Sequence, residues 1–209
     1  MILAHYSVKE YLISDHCKNG RAAQFSATPK ACYKFIAASC LSYLQLLDDD
    51  YFASHRAQGV KLGSYLAEFW FRHARASPFD QAIVQQAITL MSASNTAYYN
   101  WIQLYNPDDP TFGSSSVSNP LYYASLLGLV EVVPQLLAVH GADVNAQGGF
   151  YGNALQAASF QDYDKIVEVL LANGADVNAQ GGFYGNALQA ASYGGHDKIV
   201  EVLLAKGAS

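Results

Sequence analysis

The side chains able to do acid–base, nucleophilic or metal chemistry lie mostly in the first half of the chain: His5, His16, Cys17, Asp48, Asp49 and His73. None stands at a spacing that such chemistry requires. The histidines form no HExxH, no G-x-S-x-G elbow is present, and Cys17, Cys32 and Cys40 include no C-x-x-C pair. The expectation is therefore no catalytic residue, no cofactor-binding residue and no metal ligand. The competing reading is an enzyme with its site in residues 1–105 and a recruiting second half. It would need a Cys or His joined to a carboxylate in a pocket. His73 sits on an apolar helical face and is expected to be a hydrogen-bonded boundary residue. The unpaired cysteines fit reduced thiols and a cytoplasmic protein.

The chemistry that does recur is recognition chemistry. Gly148-Gly149-Phe150-Tyr151 and Gly181-Gly182-Phe183-Tyr184 place paired aromatics on Gly-Gly tips. Each Gly-Gly-Phe-Tyr-Gly run precedes a predicted helix, as phosphate loops do, but lacks the Lys-Ser/Thr of a P-loop. Rigid rings at a tip supply contact area at low entropy cost. The alternative is that each Phe packs on the neighbouring tip, leaving only the Tyr exposed.

The tips belong to a longer duplication. The string DVNAQGGFYGNALQAAS occupies residues 143–159 and again 176–192, at an interval of 33 residues. Three units align, opening at Asn119-Pro120-Leu121-Tyr122, Asn153-Ala154-Leu155-Gln156 and Asn186-Ala187-Leu188-Gln189. In each, Asn is an N-cap; Gln156, three residues after Asn153, has the spacing to reach back to the cap's N–H. Pro120 suits a first helical position. The first helix of a unit is short and alanine-rich. The second carries Ile166, Val167, Val169, Leu170 and Leu171 inward, with Lys165 and Glu168 on the wet side. Asn173-Gly174 ends it. Residues 143–175 and 176–208 differ at five positions: Phe160/Tyr193, Gln161/Gly194, Asp162/Gly195, Tyr163/His196 and Asn173/Lys206. Four cluster at the end of the first helix and the following turn, where they either adjust a binding surface or, the favoured reading, mark an exposed turn that tolerates change. Positive φ is expected at Gly128, Asp162 and Gly195.

These units resemble the ankyrin repeat family. Gly195-His196 match its GH, and Gly174-Ala175-Asp176-Val177-Asn178-Ala179 match its GADVNA. The family's TPLH becomes NPLY once and NALQ twice, so its Thr–His hydrogen bonding must be replaced by the Asn/Gln pair. The resemblance implies a hairpin and two antiparallel helices per unit, stacked into a surface that holds a protein partner. The end of the first helix lines the partner side in that family. Candidate partner-binding residues are therefore Phe150, Tyr151, Phe160, Gln161, Phe183, Tyr184 and Tyr193.

The first half reads as non-repetitive helices. Ser7-Val8-Lys9-Glu10 opens one, and Thr28-Pro29 opens another bearing Phe35, Ile36, Cys40, Tyr43, Leu44 and Leu47 on one face. That helix stops near Leu47, before a solvated Asp48-Asp49-Asp50 turn. A third starts after Gly59 or Gly63 with Leu62, Tyr65, Leu66, Phe69, Trp70 and His73. A fourth runs from about Asp80 to Met91, and a fifth holds Tyr98, Trp101, Ile102 and Leu104. The segments Ala4 to Leu12, Ile36 to Leu47 and Tyr65 to Ala74 look like the helical connector of fungal NACHT–ankyrin proteins, NLR-like ATPases. That likeness implies further ankyrin repeats or a NACHT module in a full-length form. No Walker A or Walker B motif is present here. The chain then reads as part of a longer protein or a degenerate paralogue, its last helix offering Val200, Leu203 or Leu204 to a further unit.

The expected fold is all-α: an irregular helical domain over 1–105, a breaker-rich linker over 106–118, and about three solenoid units over 119–209. The formal net charge of -5 comes without a basic cluster, so nucleic acid is not an expected partner. No apolar run approaches the roughly 20 residues that span a bilayer, so neither is a membrane. The expected function is a non-catalytic protein–protein interaction module, either the recognition end of an NLR-like receptor or a free-standing adaptor. Phe112 or Val117 is the expected anchor between the halves.

Overall fold

A computed structural model describes residues 28–47, 61–76, 80–92, 96–108, 117–138 and 141–209, with Ser14 and Asn19 besides. The helix predicted at Ser7, the Asp48–Asp50 turn and Phe112 lie outside these residues. The described residues form ten helices and one isolated antiparallel bridge, so the fold is all-α.

Four helices precede the repeats: α1 (Pro29–Gln45), α2 (Lys61–Ala76), α3 (Gln81–Leu90) and α4 (Thr96–Leu104). Thr28 caps α1 by accepting from the Ala31 N–H, and Asp80 caps α3 by accepting from Ala82 and Ile83. The buried stripe of α1 is Ala37, Cys40, Leu41 and Leu44, a 3–4 spacing that leaves Phe35 on the opposite side. Phe35 is exposed, against expectation. On α2 the stripe is Ala67, Trp70 and Phe71, and Leu62 is exposed for the same reason. His73 does sit at the boundary, its ring 3.5 Å from the Tyr65 hydroxyl. Buried polar groups fix the helices' register. The Trp101 indole donates to the Ala67 carbonyl at 3.0 Å, and Asn100 donates to the Leu47 carbonyl at 2.9 Å.

Three helix pairs follow: α5 (Pro120–Leu126) with α6 (Val132–Ala138), α7 (Ala154–Phe160) with α8 (Asp164–Ala172), and α9 (Ala187–Gly194) with α10 (Asp197–Ala205). Asn119, Asn153 and Asn186 each accept from the N–H three residues on, as the caps require. Gly128, Asp162 and Gly195 all have positive φ, at 70°, 61° and 71°. The first helices stack α5–α7–α9. Their Ala157, Ala158, Ala190 and Ala191 are fully buried, and such short side chains permit that approach.

Both halves share one hydrophobic core. Trp101 meets Tyr123 edge-on at 6.1 Å, and the Tyr98 hydroxyl donates to the Ser118 carbonyl at 2.6 Å. Val117 packs against this core. Arg75 lies 4.9 Å above the Tyr163 ring centroid and donates to a Tyr163 hydroxyl at 2.8 Å, joining α2 to the second helix pair. At the last helix, Leu203 is buried, Val200 half-buried and Leu204 exposed.

Candidate recognition surface

The hairpin tips are built backbone against backbone. Phe183 N–H donates to the Phe150 carbonyl at 3.0 Å, so consecutive tips are joined by main chain. Glycine is required there: a Cβ on Gly182 would lie 2.0 Å from the Tyr151 carbonyl oxygen, at a φ of 64°. The corresponding N–H of the earlier tip, on Phe150, donates to Asp108 Oδ2 at 3.2 Å. Asp108 thus stands where a preceding tip's carbonyl would be. Its other oxygen accepts from the Tyr122 hydroxyl, which in turn accepts from the Tyr151 N–H at 3.1 Å. With the tip N–H groups of Phe150 and Phe183 engaged, they do not form a phosphate cradle.

This construction aligns the aromatic side chains. Phe150 and Phe183 stack with centroids 5.0 Å apart and planes 18° apart. Tyr151 and Tyr184 are 6.1 Å apart and nearly parallel, and Phe160 from the end of α7 leans into both, at 4.8 and 5.0 Å. Tyr193, the counterpart of Phe160 in α9, lies 4.8 Å from Tyr184. Within each tip the Phe stands edge-on to its Tyr, 84° apart in both copies. Six of the seven candidate residues, drawn from two separate stretches of each unit, therefore form one ladder. Gln161, the seventh, caps the C-terminus of α7, its backbone N–H donating to the Ala157 carbonyl.

The ladder is solvent-facing. Phe150, Phe183 and Tyr193 are 45%, 68% and 74% exposed, while Tyr151, Phe160 and Tyr184 are half-buried. Each Phe does pack on its neighbour's tip, yet it is the Tyr beside it that is the more buried. Burial, with Tyr184 and Asp108 nearby, pushes the Tyr151 phenol up to about 12, and burial with Tyr193 nearby raises Tyr184. Tyr151 and Tyr184 stay protonated donors at neutral pH. At the ladder's edge, His196 meets the Phe160 carbonyl at 2.7 Å through Nε2 and faces Asp162 at 3.5 Å through Nδ1.

Gln156 acts differently from the expected capping box. Its side-chain amide crosses to the next unit and donates to the Gly181 and Gly185 carbonyls, both at 3.0 Å. The Asn/Gln pair thus divides the work: Asn caps its own helix and Gln holds the following hairpin. Sequence reasoning missed this, and it missed Asp108, whose role depends on a fold-back no spacing announces.

A sequence-family model described as Ankyrin repeats (3 copies) matches residues 90–181 and 121–209. The chain belongs to the ankyrin-repeat family. Among curated proteins, it is 36% identical over 185 residues to "Azaphilone pigments biosynthesis cluster protein L" of Monascus ruber. That alignment takes in 80% of this ankyrin chain and 39% of the relative, so the chain spans well under half of the relative's length. Among the described residues, no group of three or more His, Cys, Asp or Glu is placed to hold a metal ion. No described helix is long and apolar enough to cross a membrane.

Proposed function

We propose that this chain is a non-catalytic protein-recognition module whose partner-facing surface is the ladder of Phe150, Tyr151, Phe160, Phe183, Tyr184 and Tyr193, with Gln161 at its edge. The observation that carries the reading is the convergence of six rings from two stretches of each unit on one exposed strip. Contiguous exposed aromatics are rare on surfaces that meet only water. The ankyrin family supplies the interaction role, and a stacked array supplies a rigid frame for the rings. In this reading residues 1–105 are the helical connector domain, 106–118 the linker and 119–209 the ankyrin repeats.

We further propose that the module is the recognition end of a cytoplasmic receptor-like protein, with the helical half passing the binding event to a NACHT-type switch. The likeness of residues 4–12, 36–47 and 65–74 to the connector of such proteins supports this. The test is partner recovery from the source organism's extract with the wild-type chain and a Phe183→Ala/Tyr193→Ala double variant. Loss of the recovered partner from the variant supports the reading. Equal recovery by both chains sinks it.

A further inference from the structure

We infer that the cleft where the helical half meets the first two repeats binds a small organic acid, an apolar body carrying one carboxylate. This goes beyond the recognition ladder and does not depend on it. The cleft has a volume of about 250 Å³ and lies between α2, α3, the turn from α5 to α6 and the start of α8. A dry cavity of about 150 Å³ takes benzene, so this one has room for a phenyl ring with a short acidic tail. Its floor is apolar: Trp70 from α2, Ile83, Val84 and Ala87 from α3, and Leu129 and Val132 at the entry to α6, all of them buried. An apolar floor between two packed units with a few polar groups at the mouth is the make-up of small-molecule sites. Among the described residues its lining includes no Cys or His, so the cleft is a place to bind rather than to react.

The rim sets the charge of the occupant. Arg75, Lys165, Asp80 and Glu131 stand there. Asp80 is spent, pairing with Lys34 at 2.5 Å and capping α3. Glu131 is then one acid against two cations, and no carboxylate of the described residues pairs with either cation. Arg75 is already fixed in place. Its guanidinium lies 4.9 Å over the Tyr163 ring centroid. One nitrogen, Nη1, makes its contacts, donating to the Tyr163 phenol at 2.8 Å and to the Leu127 carbonyl at 3.4 Å. The Nε–Nη2 edge is left, and such an edge chelates a carboxylate through two parallel N–H groups. A guanidinium held beforehand loses little entropy on binding. Tyr163 is seated in turn on Gly128, where a Cβ would lie 2.6 Å from the ring, so glycine permits this wall. Trp70 also carries a buried indole N–H without an acceptor, whereas the Trp101 indole donates to Ala67. Buried donors normally find a partner.

The test is titration of the nitrogen-15-labelled full chain with phenylpropionate, and with phenylpropanol and phenylpropylamine as its neutral and cationic counterparts. The indole cross-peak lost in Trp70→Phe should move saturably with the acid, at a dissociation constant of roughly 1 mM for so small a ligand. The alcohol should bind about fivefold more weakly, and the amine more weakly still. Lys165→Gln, at an exposed position, should weaken the acid about twofold and leave the alcohol unchanged. Arg75→Gln should bring the acid down to the level of the alcohol. Ala74→Leu, which keeps Arg75 and puts bulk on the cleft wall, should block acid and alcohol alike. No saturable shift in the wild-type chain overturns the inference. So does equal affinity for acid, alcohol and amine, or acid binding undiminished by Ala74→Leu.

Discussion

Gln156 and Gln189 offer an internal control for what holds one repeat to the next. They occupy the same place in identical 17-residue strings. Gln156 is 1% exposed and donates across the unit boundary to the Gly181 and Gly185 carbonyls at 3.0 Å each. Gln189 faces solvent. Replacing Gln156 by Ala removes two well-formed hydrogen bonds, each contributing about 1 kcal/mol net. Part of that is offset, because Gln156 Oε1 is buried without a partner and its removal relieves a desolvation cost. A net loss of about 1.5 kcal/mol is expected, roughly tenfold in the equilibrium for opening the boundary. Gln189→Ala should change stability by less than about 0.5 kcal/mol.

Native-state hydrogen exchange reads the effect where it occurs. In Gln156→Ala, the amides of α9 and α10 should lose about tenfold in protection while those of α1 to α4 keep theirs, because a stacked array can open from one end. Urea unfolding supplies the independent energy. Equal behaviour of the two alanine variants would refute the assignment of Gln156 as the inter-unit clamp, and so would a loss of protection spread evenly over both halves.

Glycine placement supplies two further outcomes. Gly182→Ala should cost well over 2 kcal/mol in thermal or urea unfolding, since its Cβ would meet the Tyr151 carbonyl at 2.0 Å. Gly174→Ala, with a similar φ of 87° but open space, should cost about 1 kcal/mol. Asp162→Gly should stabilise by up to about 1 kcal/mol, because it relieves a non-glycine residue at a φ of 61° that Gly128 and Gly195 occupy elsewhere. A fall in melting temperature would refute this. Burial raises the Cys40 thiol to about 11, so its thiolate is scarce at pH 8 and alkylation followed by mass spectrometry should leave it unmodified until the chain unfolds. The raised value also sets a sign. Cys40 favours the folded state fully below its unfolded value near 9 and loses that contribution as pH rises through about 11. Cys40→Ala should flatten the fall in stability over that window.

The repeat half was legible because its signals are local. An Asn cap, an alanine-rich helix, an aliphatic stripe and a turn needing positive φ each act within a few residues, and the duplication sets their register. Asp162 is the sharpest case: alignment with Gly128 and Gly195 implied a left-handed backbone for a residue that seldom adopts one. The helical half was legible in its element boundaries but less so in its faces. Phe35 and Leu62 look like core residues by type, yet the stripes that meet other helices are Ala37–Cys40–Leu41–Leu44 and Ala67–Trp70–Phe71. Small residues decided those stripes, since α1 and α2 approach closely, and bulk alone misled. The candidate residues were nameable from sequence, but not that they touch. Phe160 and Tyr184 are 24 positions apart, and only hairpin-to-helix stacking brings their rings to 5.0 Å.

The surface and the scaffold are coupled through the same atoms. Phe183 N–H on the Phe150 carbonyl fixes the tip spacing, that spacing sets the 5.0 Å Phe–Phe stack, and Gly182 permits the approach. A repeat that kept its helices but lost Gly182 would still bury Ala190 and Ile199, and its rings would move apart. Variation that preserves the ring ladder must therefore fall outside the tip. The five differences between the two units agree with this: none lies in the tip, and Phe160/Tyr193 changes one ring of the ladder for another. The exchange adds a hydroxyl to the ladder, and Gln161/Gly194 removes a side chain beside it. Exchanging Phe160 with Tyr193 alone should therefore leave stability nearly unchanged, because both positions keep a ring in the ladder and Tyr163 keeps its contact with Arg75, while altering the order in which partner peptides are preferred. Unchanged preference alongside unchanged stability would place the recognition determinants in the invariant tips instead.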